Sequence, residues 1–281
     1  MMNVQLIGNT YAIEPDILKH IENVNFLQND TATITTAAKQ CYNKEFDYKE
    51  FFKKYTENKE ANELFIKRIA ESGHTSILEH ASATFLITGV SRSLTHQLVR
   101  HRIASYTQQS QRYVDMEDFK FVTPPSILKC NNEAVLTEYN YIMNRIEKSY
   151  KFLVSELIKS GRTEQQARED ARFVLPNAAE TQIVMTMNYR ELGDFLGKRM
   201  CKRAQWEIRA MATEIFNIMS KQSPAIFGKE SIYRGPKCKN LGYCNEHKSC
   251  GLTLKYIRPV KAIEEPKRKT WLQRLKDVFS I

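Results

Sequence analysis

The segment RHRIASYTQQSQRY occupies residues 100–113 and is the most informative stretch of this sequence. It holds three arginines, one histidine, two serines and two tyrosines, and it contains no acidic residue. Arg100 and Arg102 alternate around His101, which favours an extended segment or turn with both guanidinium groups on one side. Planar forked donors among hydroxyls and amides suit a ligand that carries phosphate and a planar polar ring. On composition alone, a basic surface loop is the alternative.

Length and composition favour a protein with a substantial core. The 281 residues are 42% hydrophobic, which is enough for one large domain or for one domain with an appendage. The longest apolar runs are short and interrupted by charges, so a transmembrane span is not expected. The first residues lack the basic start and long apolar stretch of a signal peptide. We therefore expect a cytoplasmic protein that does not associate with membranes.

The formal net charge of +10 is unevenly distributed. Residues 229–281 hold 13 Lys and Arg against 5 Asp and Glu, whereas residues 1–228 are almost balanced. The arginine-rich segment is therefore a local feature of a nearly neutral body. This contrast predicts a main domain over 1–228 and a basic C-terminal extension over 229–281.

Hydrophobic periodicity predicts a mixture of strands and helices. The strands are expected at Asn3–Ile7, at Ala81–Thr88 with Gly89 as its end, and at Ile183–Met187. The helices are expected at Asp30–Tyr42, Glu60–Ser72 with Leu64, Ile66 and Ile69 inward, a short helix capped by Ser91, Tyr139–Leu157, a helix from Thr163 to about Phe173, and one long helix over Glu191–Lys221.

The order of residues in 100–113 closely resembles the signature RHRxxSxNxxSxR of flavin-dependent thymidylate synthases (the ThyX family). Six of the seven specified positions match, namely Arg100, His101, Arg102, Ser105, Ser110 and Arg112. Thr107 stands where the family commonly has Asn. Threonine keeps a hydroxyl that donates and accepts hydrogen bonds, so a local turn role would survive, whereas a role that needs the amide would not.

Further segments are similar to the same family. The stretch HTSILEH at 74–80 resembles one in which the first histidine and the following hydroxyl residue lie along the flavin. The stretch NYRELGDFLGKRMCKRAQWEI at 188–208 resembles the C-terminal segment of the family, and ARFVLP at 171–176 contains a matching arginine. Together these segments extend the resemblance over most of the main domain, which is thereby interpreted as a ThyX-like catalytic domain.

The resemblance implies an α/β fold with a mixed or antiparallel sheet flanked by helices, and a homotetramer that holds the flavin between subunits. The implied reaction is the reductive methylation of dUMP to dTMP. Methylenetetrahydrofolate would supply the carbon, and FAD reduced by NADPH would supply the reducing equivalents. The redox chemistry would belong to the flavin, while the protein orients and polarises the substrate.

The resemblance also implies roles for individual residues. Arg199 takes the position of the arginine that contacts the uracil ring and stabilises its negative charge without a covalent nucleophile. The residues expected to bind dUMP are Gln97, Arg100, Gln108, Gln109, Ser110, Gln111, Arg112, Arg172 and Arg199. The residues expected to bind FAD are His74, Ser76, Arg100, His101, Arg102, Gln108, Asn188, Arg190 and Asp194, the last of which stands where the family frequently has Asn.

Some of these residues have other interpretations. The histidines and the carboxylate of HTSILEH suggest a metal site, although their spacing is not His-Glu-x-x-His, or they could satisfy backbone groups at a helix end. Arg199 lies on an apolar stripe, where an arginine can also form a structural ion pair or reach solvent. Cys201 is the cysteine nearest to Arg199 in the sequence, but it is no part of the family pattern. Ser110 has no adjacent base that would activate it as a nucleophile.

Nucleic-acid binding is an alternative of a different class. It is suggested by the isoelectric point of about 9.2 and by the arginine run. The nearly neutral body and the lack of an RNA-binding motif argue against it, so no specific nucleic-acid partner is expected. A salt-dependent RNA affinity in a protein without bound flavin would favour it.

The C-terminal extension contains a cluster of potential metal ligands. Cys238, Cys244, His247 and Cys250 lie within thirteen residues. In a cytosolic protein such a cluster suggests Zn²⁺ or an iron–sulfur centre rather than disulfides, with a structural role. The spacing is not that of a standard zinc knuckle, and an inert cysteine-rich loop is the alternative. Beyond the cluster, the spacing of Trp271, Leu272, Leu275, Val278 and Phe279 predicts a terminal amphipathic helix that docks on the body or on a partner.

Overall fold

Four antiparallel strands form the sheet in the described part of the chain. The computed structural model describes residues 1–11, 30–45 and 47–255, apart from the side chains of residues 52, 56 and 57. The strands lie in the order β1-β2-β4-β3, so β3 forms one edge of the sheet. Their bounds are Asn3–Asn9 for β1, Ser82–Ser91 for β2, Ser105–Gln108 for β3 and Glu180–Asn188 for β4.

Helices flank this sheet and connect its strands. They are α1 (Asp30–Gln40), α2 (Tyr48–Glu57), α3 (Lys59–Glu71), α4 (Arg92–Leu98), α5 (Pro125–Leu128), α6 (Glu133–Lys159), α7 (Glu164–Ala171), α8 (Tyr189–Arg199), α9 (Trp206–Gln222) and α10 (Lys237–Leu241). Short 3₁₀ helices occur at Thr75–His80 and Arg172–Val174. The expected α/β fold with an antiparallel sheet flanked by helices is confirmed. No helix in the described ranges is long and apolar enough to span a bilayer.

The main core lies between one face of the sheet and the helices. Alternate residues of β2 and β4 point to this side because side chains of a strand alternate between its two faces. Helices α4, α8 and α9 cover them with apolar side chains. The buried contributors include Ala83, Phe85, Ile87, Ile183, Met185, Met187, Leu94, Leu98, Phe195, Leu196, Ile208 and Met211.

A buried polar cluster holds the start of α8 against the rest of the body. The Tyr189 hydroxyl lies 2.8 Å from Asn9 Oδ1 and 2.9 Å from Ser223 Oγ. Both hydroxyls also contact the carboxylate of Asp30, the first residue of α1. Burial and the Asp30 charge raise the pKa of Tyr189, which keeps its phenol protonated as a donor. The cluster thereby joins α1, β1, α8 and the end of α9.

The end of β2 and the exposure of one residue on α3 differ from the sequence prediction. Gly89 does not end β2, because the strand continues to Ser91 through a shift of register between Ile87 and Val90. Gly89 has φ +68°, and a Cβ there would collide with the backbone of Met1, so glycine is required inside the strand. On α3, Ile66 is buried as expected, whereas Leu64 is exposed.

The long helix expected over Glu191–Lys221 is two helices. Helix α8 ends at Arg199, and α9 begins at Trp206. Gln205 starts α9 because its side-chain oxygen accepts from the backbone N–H groups of Glu207 and Ile208, at 2.9 and 3.1 Å. The break contains neither proline nor glycine, so the sequence carries no strong signal for it.

The described part of the extension packs on the body. Tyr233 is 8% exposed, belongs to the main core and stacks on Phe227 with the ring centroids 5.6 Å apart. Its ring also occupies the space beside Gly193, where any Cβ would overlap it. The proposed boundary at residue 228 stays a prediction. The amphipathic helix expected around Trp271–Phe279 lies outside the described residues.

Candidate active site

The signature segment follows α4, whose start is held from inside the core. Ser91 caps α4, because its hydroxyl accepts from the Leu94 N–H at 3.1 Å, as the sequence predicted. The Ser91 hydroxyl and N–H in turn donate to the buried carboxylate of Glu207, at 2.5 and 2.7 Å. Helix α9 thus holds α4, the helix that precedes the signature segment, in position.

Tyr106 secures the turn between α4 and β3. Its hydroxyl lies 3.0 Å from the Leu98 carbonyl and 2.9 Å from the His101 carbonyl. Burial raises the pKa of Tyr106 to about 12, so the phenol remains a donor at neutral pH. The turn leaves Arg100 and Arg102 exposed to solvent, as expected for residues that bind a ligand. Sequence analysis did not single out Tyr106, because a tyrosine in a polar segment carries no sign of this contact.

Arg199 and His101 meet at the centre of the site, although 98 positions separate them in the sequence. The Arg199 Nε donates to His101 Nε2 at 2.9 Å, and Arg199 Nη2 donates to the Gln97 carbonyl at 3.3 Å. The signature segment and the helix that resembles the family's C-terminal segment therefore form one surface. Among the described residues, no carboxylate forms an ion pair with Arg199.

The environment keeps His101 neutral. Burial, together with the positive charges of Arg199 and Lys198, lowers the pKa of His101 to about 4. The edge of its ring faces Phe195, with the ring centroids 4.9 Å apart. A neutral imidazole can accept from Arg199, whereas an imidazolium cannot. This arrangement orients the guanidinium and leaves its charge uncompensated by any acid in the described residues.

Two further arginines of the expected dUMP site differ in their environment. Arg112 forms an ion pair with a carboxylate, and Arg172 forms none in the described ranges. Arg112 Nη2 lies 3.0 Å from Glu169 on α7, and its Nε is buried without a partner. Arg172 forms no ion pair within the described ranges, and its charge contributes to lowering the pKa of Arg92, after the larger effect of burial. Sequence reasoning missed Arg92, which stands at the start of α4 outside the quoted signature. Two neighbouring guanidinium groups without a carboxylate suit an anion.

Polar residues of β3 and of the following loop form hydrogen bonds that hold the signature segment in place. The same residues were expected to bind the ligand. Gln108 Nε2 lies 3.1 Å from Thr95 Oγ1 and 3.3 Å from Thr181 Oγ1, so this amide ties β3 to α4 and β4. The Gln109 N–H extends the pairing with β4 by donating to the Gln182 carbonyl at 3.0 Å. Ser110 Oγ accepts from the Arg112 N–H at 3.2 Å, and Gln111 is buried. Thr107 lies exposed on β3.

Some of the residues expected to bind the flavin are exposed to solvent, and others form hydrogen bonds or ion pairs within the protein. His74 and Ser76 are exposed at the start of the 3₁₀ helix Thr75–His80, and Asp194 is exposed on α8. Asn188 caps α8, because its side-chain oxygen accepts from the Glu191 N–H at 2.9 Å.

Arg190 forms an ion pair with Glu79, which joins α8 to that 3₁₀ helix. The two segments that resembled separate parts of the family are therefore neighbours. The metal interpretation of HTSILEH receives no support, since the described residues contain no group of three or more His, Cys, Asp or Glu placed for one ion.

The cysteines of the extension are gathered with a fourth cysteine from the body. Cys238, Cys244 and Cys250 line one cavity of about 290 Å³, and Cys201 lines it from the turn after α8. Burial raises the pKa of the Cys201 thiol, and the nearby Cys250, Glu246 and Cys238 act in the same direction. His247 is not among the residues that line this cavity. The expected set of Cys238, Cys244, His247 and Cys250 is thus not assembled as a single-ion site in the described chain.

Comparison with known proteins supplies independent evidence. The family described as thymidylate synthase complementing protein matches residues 23–225. The chain is 48% identical over 195 residues to a flavin-dependent thymidylate synthase of Nitratidesulfovibrio vulgaris, covering 69% of this chain and 77% of that protein. It is 43% identical over 254 residues to the protein of the same name from Clostridium tetani, covering 87% and 95%. The enzyme of that name from Pyrococcus furiosus is 43% identical over 227 residues, covering 79% and 88%.

Proposed function

The chain belongs to the family of flavin-dependent thymidylate synthases, and we propose that its signature segment and the end of α8 form the site where dUMP is methylated. The protein is a flavin-dependent enzyme of dTMP synthesis. The identity of the flavin as FAD, NADPH as its reductant and the roles of individual residues belong to the proposal.

The contact between Arg199 and His101 carries the proposal. It places a cationic donor, oriented by a neutral imidazole, beside the arginines of the signature. Methylation at C5 of uracil requires electron density on that carbon, and the negative charge that results spreads over the ring and its oxygens. A fixed guanidinium at the ring edge stabilises such charge without reorganising during the reaction. Arg199 is therefore assigned the activation of the uracil ring.

The phosphate of dUMP requires cations that are free to bind it. Arg100 and Arg172 form no ion pair in the described ranges, and Arg92 adds a third guanidinium close to Arg172. Arg112 would bind the nucleotide with the part of its guanidinium that Glu169 leaves available, since arginine has five N–H donors. Gln97, Gln109, Ser110 and Gln111 provide neutral donors and acceptors nearby. Gln108 retains its amide oxygen for the ligand, because among the described residues it uses its amide nitrogen for the contacts with Thr95 and Thr181.

The donor set also fits FAD, whose pyrophosphate is an anion. Arg102 is exposed and unpaired in the described chain, and His74, Ser76 and Asp194 are open to solvent. Arg190 would have to share its guanidinium between the flavin and Glu79. Asn188 would contact FAD with its amide nitrogen, since its oxygen caps α8. The bound flavin would supply reducing equivalents, while the protein residues hold, orient and polarise.

A homotetramer that shares its flavin sites is part of this proposal. The expected ligand-binding side chains lie on an open surface, so a second copy would close the site over its ligands. Large apolar side chains are also exposed near the segment and on α6, including Phe152 at 64%, Tyr113 at 64% and Phe173 at 84%. Exposed apolar surface of this kind is typical of protein interfaces. Light scattering coupled to gel filtration would report a mass about four times that of the chain.

The activity is tested with the purified protein, dUMP, methylenetetrahydrofolate and NADPH. We expect a visible flavin spectrum that bleaches on reduction and formation of dTMP that depends on all three additions. Replacing NADPH by a chemical reductant tests the methylation step apart from the choice of reductant. A flavin-loaded protein that forms no dTMP with either reductant would contradict the proposal.

A further inference from the structure

Four of the six cysteines of the chain converge on one cavity from two distant parts of the sequence. Cys201 comes from the turn between α8 and α9. Cys238 lies in α10, and Cys244 and Cys250 follow that helix. All four are free thiols, and Cys244 is buried with 5% exposure. Cys41 and Cys130 are exposed and lie outside this cavity.

The charged residues in the cavity wall are mainly basic. Lys198, Arg203, Lys237 and Lys248 line it together with one acid, Glu246. Arg203 lies 3.7 Å from Glu246, and it also donates to the Lys248 carbonyl at 3.3 Å. Four thiolates around a doubly charged centre carry a net charge of −2, which a basic wall stabilises. The basic side chains of this wall suit an anionic thiolate complex.

We propose that Cys201, Cys238, Cys244 and Cys250 bind a thiolate-ligated metal centre that joins the C-terminal extension to the end of α8. Thiolates select soft metals, namely zinc or the iron of an iron–sulfur cluster. On binding, each thiol releases its proton to solvent and forms one sulfur–metal bond. This set of four ligands differs from the sequence prediction in one residue. Cys201, which belongs to the main domain, takes the place of His247.

The size of the cavity favours a cluster over a single ion. Thiolates on one Zn²⁺ at ~2.3 Å lie within about 4 Å of one another. The described residues contain no group of three ligands at such a spacing, whereas the four cysteines surround a cavity of about 290 Å³. An iron–sulfur cluster holds its cysteines farther apart around an inorganic core. A cluster would therefore occupy the cavity directly, and zinc would require it to contract.

The position of the centre gives it a role in organising the active site. Cys201 lies two residues after Arg199, and α10 approaches α8 so closely that a Cβ on Gly197 would be 3.8 Å from the backbone of Lys237. A metal bond at Cys201 would restrain the chain just after α8, which ends at Arg199. We therefore assign the centre a positioning role for Arg199, so Cys201→Ser should lower kcat for dTMP formation and leave the KM for dUMP unchanged.

The test is the metal content of the full chain, purified without oxygen from cells supplied with zinc and iron. We expect about one zinc, or about four irons with acid-labile sulfide, per chain. Cys201→Ser should lower that content by about tenfold or more. Cys41→Ser and Cys130→Ser are matched controls that should retain it. His247→Ala should also retain it, which separates the proposed set from one that uses the histidine.

Two results would overturn the proposal. The first is less than about a tenth of an equivalent of zinc and of iron in the unaltered chain, even after anaerobic reconstitution. The second is full metal content in Cys201→Ser. Because the first result is measured on the unaltered protein, it does not depend on how well a variant folds. Metal content is also independent of dTMP formation, so either result leaves the proposed function unaffected.

Discussion

Arg199 and His101 form a pair in which each residue determines the state of the other. The guanidinium charge helps to keep the imidazole neutral, and the neutral imidazole accepts from Arg199 Nε and fixes its direction. A cation that is oriented but not neutralised can respond to negative charge that develops on a bound ring.

Removing the Arg199 guanidinium should strongly reduce turnover while sparing flavin binding. We expect Arg199→Ala to keep its flavin spectrum and to lose about tens to a thousandfold in dTMP formation, equivalent to ~2–4 kcal/mol. Arg145→Ala, which removes an exposed arginine on α6, serves as the control. Near-normal turnover of Arg199→Ala at saturating dUMP would exclude Arg199 from the mechanism.

His101 should make the stability of the protein depend on pH below neutrality. Its pKa is about 4 in the folded chain and about 6.5 when unfolded, so between these values only the unfolded chain takes up the proton. The free energy of unfolding should thus fall as the pH drops from 6.5 towards 4, with no contribution above 6.5. Between pH 7 and pH 5 we expect a loss of about 1–2 kcal/mol from this residue, with allowance for its partial exposure.

Urea unfolding of His101→Gln at both pH values checks this contribution. The variant should lose less stability on acidification than the unaltered protein. His96→Gln, which changes an exposed histidine on α4, should behave like the unaltered protein. An unchanged pH dependence in His101→Gln would refute the assignment of a neutral, half-buried imidazole.

At the level of elements, the short helix α4 depends on a contact with α9. Ser91 both caps α4 and donates to Glu207, so one serine connects the strand β2, the helix that delivers the signature and the helix behind them. A buried carboxylate is costly unless hydrogen bonds stabilise it.

Replacing this serine should therefore lower the free energy of unfolding by more than the loss of an ordinary helix cap does. We expect Ser91→Ala to lower the free energy of unfolding by about 2–3 kcal/mol, because it removes a cap and also one donor to Glu207. Thr163→Ala removes the exposed capping box of α7 and should cost about 1 kcal/mol. Equal costs for the two variants, measured at the same protein concentration, would show that Glu207 does not depend on Ser91.

On the scale of the whole molecule, the extension is part of the body's core at least as far as Tyr233. This ring packs between Phe227 and Gly193, five residues beyond the boundary suggested by charge. We expect Tyr233→Ala to lower the free energy of unfolding by about 3–5 kcal/mol, as for a buried aromatic side chain. Tyr141→Ala removes an exposed ring on α6 and should change stability by about 0.5 kcal/mol or less. A small effect of Tyr233→Ala would support an independent extension that begins at 229.

Local patterns in the sequence predicted most elements and the identity of the site. The alternation in β2 and β4, the Ser91 cap and the capping box at Thr163 all depend on neighbouring residues, so they could be recognised without the fold. The extent of β2 beyond Gly89 and the break between α8 and α9 could not. The end of β2 depends on its pairing with the distant strand β4, which continues to Ser91 opposite Glu180. The segment between α8 and α9 contains neither proline nor glycine to mark the break.

By itself the sequence determined the family and the reaction, because RHRIASYTQQSQRY holds a sequence-specific arrangement of donors, and it proposed the residues of the site. Only the tertiary structure decided which of those donors act on one another. It paired Arg199 with His101, engaged Arg112 with Glu169 and Arg190 with Glu79, and brought Cys201 to the cysteines of the extension. The physical reason is that hydrogen bonds and charges act over a few ångströms of space, while these partners are tens of residues or more apart along the chain.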